Sequence, residues 1–349
     1  MKNWSGYLEW QPTQVAYPTN EAEIQALVFQ ALENKQKIRC IGTGHSFTPV
    51  VKTNDILISL DKYQGLVSVD KEKCQATVKA GTKLSLLGEL LFEQGMGMEN
   101  LGDIDVQSIA GTISTGTHGT GSRLGTISTQ VIGLKWVNGK GEIVTCSTTE
   151  QPELLKAAQV SLGMMGVFTE VTLQCVPAYK LKLQNRKETL QEVLCSLKER
   201  NATHRNFEFF WFPYTDTVWT KSTNITADAP EKMTWTNYFS EYILENYAFL
   251  AFCEITHKIP SLNARLSKIG AATISDSSKN HHSHKIYATE RLVRFNEMEY
   301  NVPVEAHVEV LGEITKVVNS KKFDIFFPIE NRTVQADDIF LSPAYQRDA

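Results

Sequence analysis

A chain of 349 residues has room for about two domains with cores of their own. Its composition, 42% hydrophobic and 21% charged, is that of a soluble globular protein. A net charge of -4 without Lys/Arg blocks argues against nucleic acid or an anionic membrane as the main partner. Residues 1–7 carry no apolar core of signal-peptide type, and the longest apolar run, residues 247–253, is far too short to span a bilayer, so the expected location is the cytoplasm. The cysteines, Cys40, Cys74, Cys146, Cys175, Cys195 and Cys253, are scattered singly; structural thiols are expected, and no metal site.

Asn20 can cap a helix in which Ile24, Leu27, Val28, Ala31 and Leu32 recur at helical spacing, with Glu23 reaching back. Residues 37–41 read as a strand running into a glycine-rich turn, Gly42-Thr43-Gly44-His45-Ser46-Phe47. A Rossmann dinucleotide turn would need a third glycine where Phe47 stands and a helix where Pro49 stands, so that reading fails. Short strands are expected at residues 56–60, 67–69 and 76–79, and a helix at 82–92 that Gly95 can end.

A second glycine-rich stretch, residues 111–121, holds four glycines, four threonines and a serine. Such residues favour an ordered loop over a helix or central strand, with many donors turned toward one anionic group, as half of a cofactor cradle. Beyond it come a hairpin (131–137 and 142–145), a helix (153–162) and a strand (167–175), with a domain boundary expected at Pro177-Ala178-Tyr179. The fold class is α+β.

Gly42-Thr43-Gly44-His45-Ser46-Phe47, Asn100-Leu101-Gly102, the run from Gln107 to Gly121 and that from Leu162 to Leu173 together resemble the FAD domain of the aldonolactone oxidases and their alditol-oxidase relatives, flavoproteins of vanillyl-alcohol-oxidase type. The resemblance implies an FAD-binding domain over 1–176 and a substrate domain over 177–349. It places FAD against Ile41, Gly42, Thr43, Gly44, His45, Ser46, Ser108, Gly111, Thr115, Gly116, Thr117, His118 and Phe168, with a covalent bond from His45 to the flavin. The plain alternative is a histidine that hydrogen-bonds within its turn. His118 reads as structural or cofactor-facing, since its sequence neighbours offer no carboxylate to orient it as a base. By the same resemblance, Gly102 leaves oxygen a path to the reduced ring. Asp103 departs from the family's frequent serine beside the substrate hydroxyls, which puts the substrate preference in question.

In the second half, Phe207, Phe209 and Trp211 are expected on one buried face of an aromatic strand. Residues 294–303 resemble a family strand, and the histidines of residues 279–284 read as a surface loop. Glu330 and Arg332, two apart in a β-prone run, should stand side by side; they read either as a surface ion pair or, by resemblance, as the groups that meet substrate and flavin. Arginine could stabilise a developing alkoxide, and glutamate could accept a substrate hydroxyl. The resemblance implies FAD-dependent oxidation of a sugar lactone with molecular oxygen. Alternatives are an alditol oxidase acting on polyols, a dehydrogenase with another acceptor, or a flavin-binding chain without turnover. The last is suggested because the family's His-Trp-Gly-Lys segment does not follow Ala349 in this sequence.

Overall fold

The computed structural model describes residues 1–231, 245–288, 292–321 and 323–349. Strand β1 (Gln14–Ala16) is followed by helix α1 (Glu21–Glu33), β2 (Ile38–Ile41) and β3 (Ile56–Ser59). Asn20 caps α1 by accepting from the Glu23 N–H, and Glu23 reaches back to the Thr19 N–H at 2.7 Å, the expected reciprocal start. The three strands pair in parallel, in the order β1-β3-β2.

A five-stranded antiparallel sheet follows in the order β4 (Leu66–Asp70), β5 (Gln75–Lys79), β9 (Val167–Gln174), β7 (Val131–Val137) and β8 (Ile143–Ser147). Between these strands the chain forms α2 (Leu84–Glu93), the short β6 (Met96–Gly97), α3 (Ile109–Ser114) and α4 (Pro152–Gln159). Their apolar faces share one core with α1, centred on fully buried Ile24, Ile58, Leu87, Ile109 and Ile113.

Helix α3 corrects the expectation of an unbroken loop over 111–121. Ser108 caps it by accepting from the Gly111 N–H, and the Thr112 and Thr115 hydroxyls donate to carbonyls four residues back, at 2.9 and 3.0 Å, instead of competing with the helix. Burial of Ile109 and Ile113 outweighs the glycine cost. From Thr115 to Gly121 the chain is irregular, with Gly116 at φ 69°.

After β10 (Val176–Pro177), a second antiparallel sheet is built from β11 (Lys180–Thr189), β12 (Asn206–Trp211), β13 (Thr217–Ile225), β14 (Ser277–His282) and β15 (Ile329–Asn331), in the order β14-β11-β13-β12-β15. Helix α5 (Leu190–Thr203) starts on a capping box between Thr189 and Glu192. It packs with α9 (His307–Lys321) over Phe207, Phe209, Trp211 and Val218. Helices α6 (Glu245–Lys258), α7 (Asn263–Thr273) and α8 (Ser283–Tyr287) complete the described elements.

Every residue of β12 is buried, so both of its faces are covered and not only the aromatic one. The histidine-rich segment is strand β14 and the start of α8, not a loop; the His284 Cβ lies so close to Gly88 of α2 that a Cβ there would meet it at 2.9 Å. Residues 294–303 form no strand. They are fixed by side chains instead of ladder bonds: Phe295 packs on Trp4 at 5.4 Å, Asn296 accepts from the Ser5 hydroxyl at 2.8 Å, and the Asn301 carbonyl accepts from Arg347 at 2.9 Å. No helix among the described residues is long and apolar enough to cross a membrane.

Candidate active site

Strand β2 delivers the chain into the Gly42–Ser46 turn, which faces the start of α3 across a cavity open to solvent. Ile41, Gly42, Thr43, Gly44, His45, Ser46, Ser108, Gly111, Thr115 and Phe168 all line it, so ten of the residues expected to hold the cofactor converge on one space. The walls meet tightly: a Cβ on Gly42 would lie 2.2 Å from the Ser108 Oγ, and Gly44 needs its positive φ of 70°.

Two buried polar atoms at this cavity, His45 Nε2 and Gln107 Oε1, have no hydrogen-bond partner among the described residues. Burial pushes the His45 pKa down to about 4, and Trp4 stacks on its ring at 4.7 Å. The imidazole is therefore neutral and held in one orientation, with a ring nitrogen left over. A long cavity edged by glycine backbone, hydroxyls and orphaned polar atoms fits FAD.

Gly116, Thr117 and His118 do not line this cavity. Gly116 makes room for Pro343, which a Cβ there would meet at 2.9 Å, and the Thr117 carbonyl accepts from the Ile127 N–H at 3.0 Å. His118 is buried, with Nδ1 on the Gly119 carbonyl at 2.7 Å and Nε2 on Glu299 Oε1 at 2.5 Å. A carboxylate does orient it, then, contrary to expectation, and it comes from far along the chain.

Glu299 also joins His118 to Arg332, whose Nη2 donates to its Oε2 at 2.5 Å. Arg332 Nη1 donates to the His118 carbonyl at 2.9 Å, and Nε lies 3.5 Å from Glu330 Oε1. Glu330 and Arg332 thus stand side by side as their spacing requires. Burial raises the Glu299 pKa, but the His118 hydrogen bond and the Arg332 charge outweigh it and hold the carboxyl at about 2.

Arg332 opens onto a second, small cavity, shared with Asp103, Glu208, Lys221, Thr223, Asn206 and Tyr287. Lys221 Nζ donates to Asp103 Oδ1 at 2.6 Å and lies 2.8 Å from Glu208 Oε1. Burial pushes the Glu208 carboxyl up to about 7 against the pull of Lys221. Gly102 lines neither cavity; a Cβ on it would come within 3.3 Å of the His118 carbonyl oxygen.

Glu208, Lys221 and Glu299 escaped the sequence reading. The first two carried a signal, because a lone carboxylate inside Phe207-Glu208-Phe209-Phe210-Trp211 and a lysine in the facing strand are costly unless they meet. Glu299 carried none, since only the fold brings it to His118.

The D-arabinono-1,4-lactone oxidase family matches residues 171–349, and an FAD binding domain matches residues 12–147. The L-gulono-1,4-lactone dehydrogenase of Mycobacterium tuberculosis is 37% identical over 99% of this chain and 80% of its own. The L-gulonolactone oxidase of Scyliorhinus torazame is 30% identical over 100% of this chain and 79% of its own. Among solved structures, cholesterol oxidase from Brevibacterium sterolicum superposes with a TM-score of 0.78 at 18% identity, over 95% of this chain and 71% of its own, a likeness of fold. With an FAD-binding domain ahead of a lactone-oxidase domain, and relatives at this identity along its whole length, the chain belongs to the D-arabinono-1,4-lactone oxidase family of FAD-dependent oxidoreductases.

Proposed function

We propose that this chain oxidises a carbinol of an aldono-1,4-lactone such as L-gulono- or D-arabinono-1,4-lactone, with FAD bonded covalently through His45 and oxygen as the terminal acceptor. The observation that carries this reading is the convergence of ten expected cofactor contacts on one cavity, with an unpartnered nitrogen of His45 in its wall. FAD supplies the hydride acceptor when bound. The protein's own residues orient and polarise the substrate. Arg332, its guanidinium fixed by His118 and Glu299, presents a permanent positive charge to an oxygen that becomes anionic as its carbon gives up hydride. Glu330, beside it, accepts a substrate hydroxyl. Residues 1–176 serve the cofactor and 177–349 the substrate in this reading. The unbridged cysteines suit a reducing compartment such as the cytoplasm.

A second reading, a dehydrogenase that passes electrons to another acceptor, is favoured by the name of the 37% identical mycobacterial relative. Peroxide released per lactone oxidised separates the two: near one for an oxidase, near zero with turnover restored by an artificial acceptor for a dehydrogenase. The covalent bond is tested by acid precipitation. Wild type should keep its flavin in the pellet and His45→Ala should release it to the supernatant; complete release by wild type would refute the bond.

A further inference from the structure

Antiparallel register sets Glu208 of β12 opposite Lys221 of β13, and Phe210 opposite Glu330 of β15. Carried on past the Phe209–Asn331 pair by one step, that register brings Arg332 across from Glu208. Side chains two apart share a face, so Lys221, Glu208 and Arg332 make a row of alternating charge over three neighbouring strands. The row is turned away from the face where Phe207, Phe209 and Trp211 pack under α5 and α9.

All three side chains, with Asp103, line the second cavity. Glu208 is only 4% exposed; its Oε1 lies 2.8 Å from the Lys221 ammonium, and no other described residue donates to it. The same ammonium donates to Asp103 Oδ1 at 2.6 Å, so one lysine serves both carboxylates. A buried ion pair with a purely structural task repays its desolvation only when its remaining lone pairs are satisfied. Here a carboxylate is kept at the wall of a cavity with one ammonium beside it and lone pairs that no other described residue reaches.

We propose that Glu208 is a specificity-determining residue that accepts a hydrogen bond from one hydroxyl of the substrate, with Lys221 and Asp103 as the residues that position it. This rests on the reading of the chain as an aldonolactone-oxidising enzyme. The ligand class follows from what Lys221 leaves open: a compact polyhydroxylated molecule whose O–H satisfies the carboxylate lone pairs that no other described group reaches. A deoxygenated analogue would leave the acceptor bare, which is how a polar cavity rejects an otherwise similar substrate.

The test crosses enzyme with substrate. Flavin-loaded wild type, Glu208→Leu and Glu208→Gln are assayed with L-gulono-1,4-lactone and with each of its mono-deoxy analogues, recording kcat, KM and the rise in unfolding temperature that each lactone produces. Glu208→Leu should raise KM roughly 10–100-fold with a smaller change in kcat, the range expected for one charged hydrogen bond. One analogue should lose a similar factor with wild type and nothing further with the variant, so that the two losses fail to add. Glu208→Gln, whose amide oxygen still accepts, should fall between the two and keeps the test decisive if Glu208→Leu does not fold. Additive losses for every analogue, or lowered thermal stability with KM unchanged, would make Glu208 a structural ion-pair partner and overturn the proposal alone. If lactone neither reduces the wild-type flavin nor raises its unfolding temperature, the enzymatic reading itself falls.

Discussion

Replacing Arg332 by lysine keeps the charge and removes the fork. In the native protein Nη1 is spent on the His118 carbonyl at 2.9 Å, Nη2 on Glu299 at 2.5 Å, and Nε faces Glu330 at 3.5 Å, three directions from one rigid plane. A lysine ammonium is a single point on a flexible stem and cannot hold all three partners at once. If the guanidinium matters only as a partner in a partly exposed ion pair, the change should cost at most ~1 kcal/mol of stability and leave the chemistry untouched. If it stabilises charge that develops as hydride leaves, losing one preorganised donor should cost ~3–4 kcal/mol in the transition state, about 10²–10³-fold in rate. The assay is anaerobic rapid-mixing reduction of the bound flavin at saturating L-gulono-1,4-lactone, with the unfolding temperature measured in parallel. A saturated rate within about twofold of wild type would refute the electrostatic role, whatever happened to stability.

Gly42→Ala should lower the flavin bound per chain, because its Cβ would lie 2.2 Å from the Ser108 Oγ and force that cap off α3. Full flavin occupancy measured by absorbance would contradict the cradle. Gly102→Ala should slow reoxidation by oxygen more than reduction by lactone; its Cβ would sit only 3.3 Å from the His118 carbonyl, so a general folding defect, seen as equal slowing of both half-reactions, is the competing result. Glu208 has a folded pKa of about 7 against the ordinary 4.5 of a glutamate, so the folded state binds its proton more tightly, and stability falls as pH rises through that window. Glu299, held at about 2, acts in the opposite sense, its contribution being present above 4.5 and lost as pH falls toward 2. Unfolding temperatures across pH 4–8 should therefore decline less at the alkaline end in Glu208→Gln than in wild type; parallel curves would show that Glu208 does not titrate there.

Local signals carried the first half of the fold well. A cap at Asn20, short β-prone runs closed by turn-forming or charged residues, and glycine at position 95 each act within a few residues, and the elements formed where those signals lie. The glycine-rich stretch misled because its propensity argues for a loop, whereas Ile109 and Ile113 reach a core that only the tertiary fold supplies. Residues 294–303 misled in the opposite way. They resemble a family strand, but the described structure ties them down through Phe295, Asn296 and Glu299 with no ladder. The cofactor turn was legible because its residues are contiguous. The charged cavity was not, because Asp103, Glu208, Lys221 and Arg332 meet only through sheet register and the packing of one sheet on the other half of the chain.

That meeting explains how an aspartate can occupy position 103, where the resembling family often has serine. A carboxylate left alone at a largely enclosed wall would bear a desolvation penalty of several kcal/mol, and the sequence offers nothing nearby to offset it. The offset comes from Lys221, 118 residues on and 2.6 Å away, whose own burial would be as costly without Asp103 and Glu208 around it. Burial alone would pull the lysine's pKa down; the two carboxylates more than reverse this and keep it charged. Asp103 is thus bound into an ion pair, which makes it a poor candidate for a catalytic base. Its contribution is to hold the Lys221 ammonium in place beside Glu208. A carboxylate has more lone pairs than that one ammonium occupies, and those of Glu208 remain available to a substrate hydroxyl.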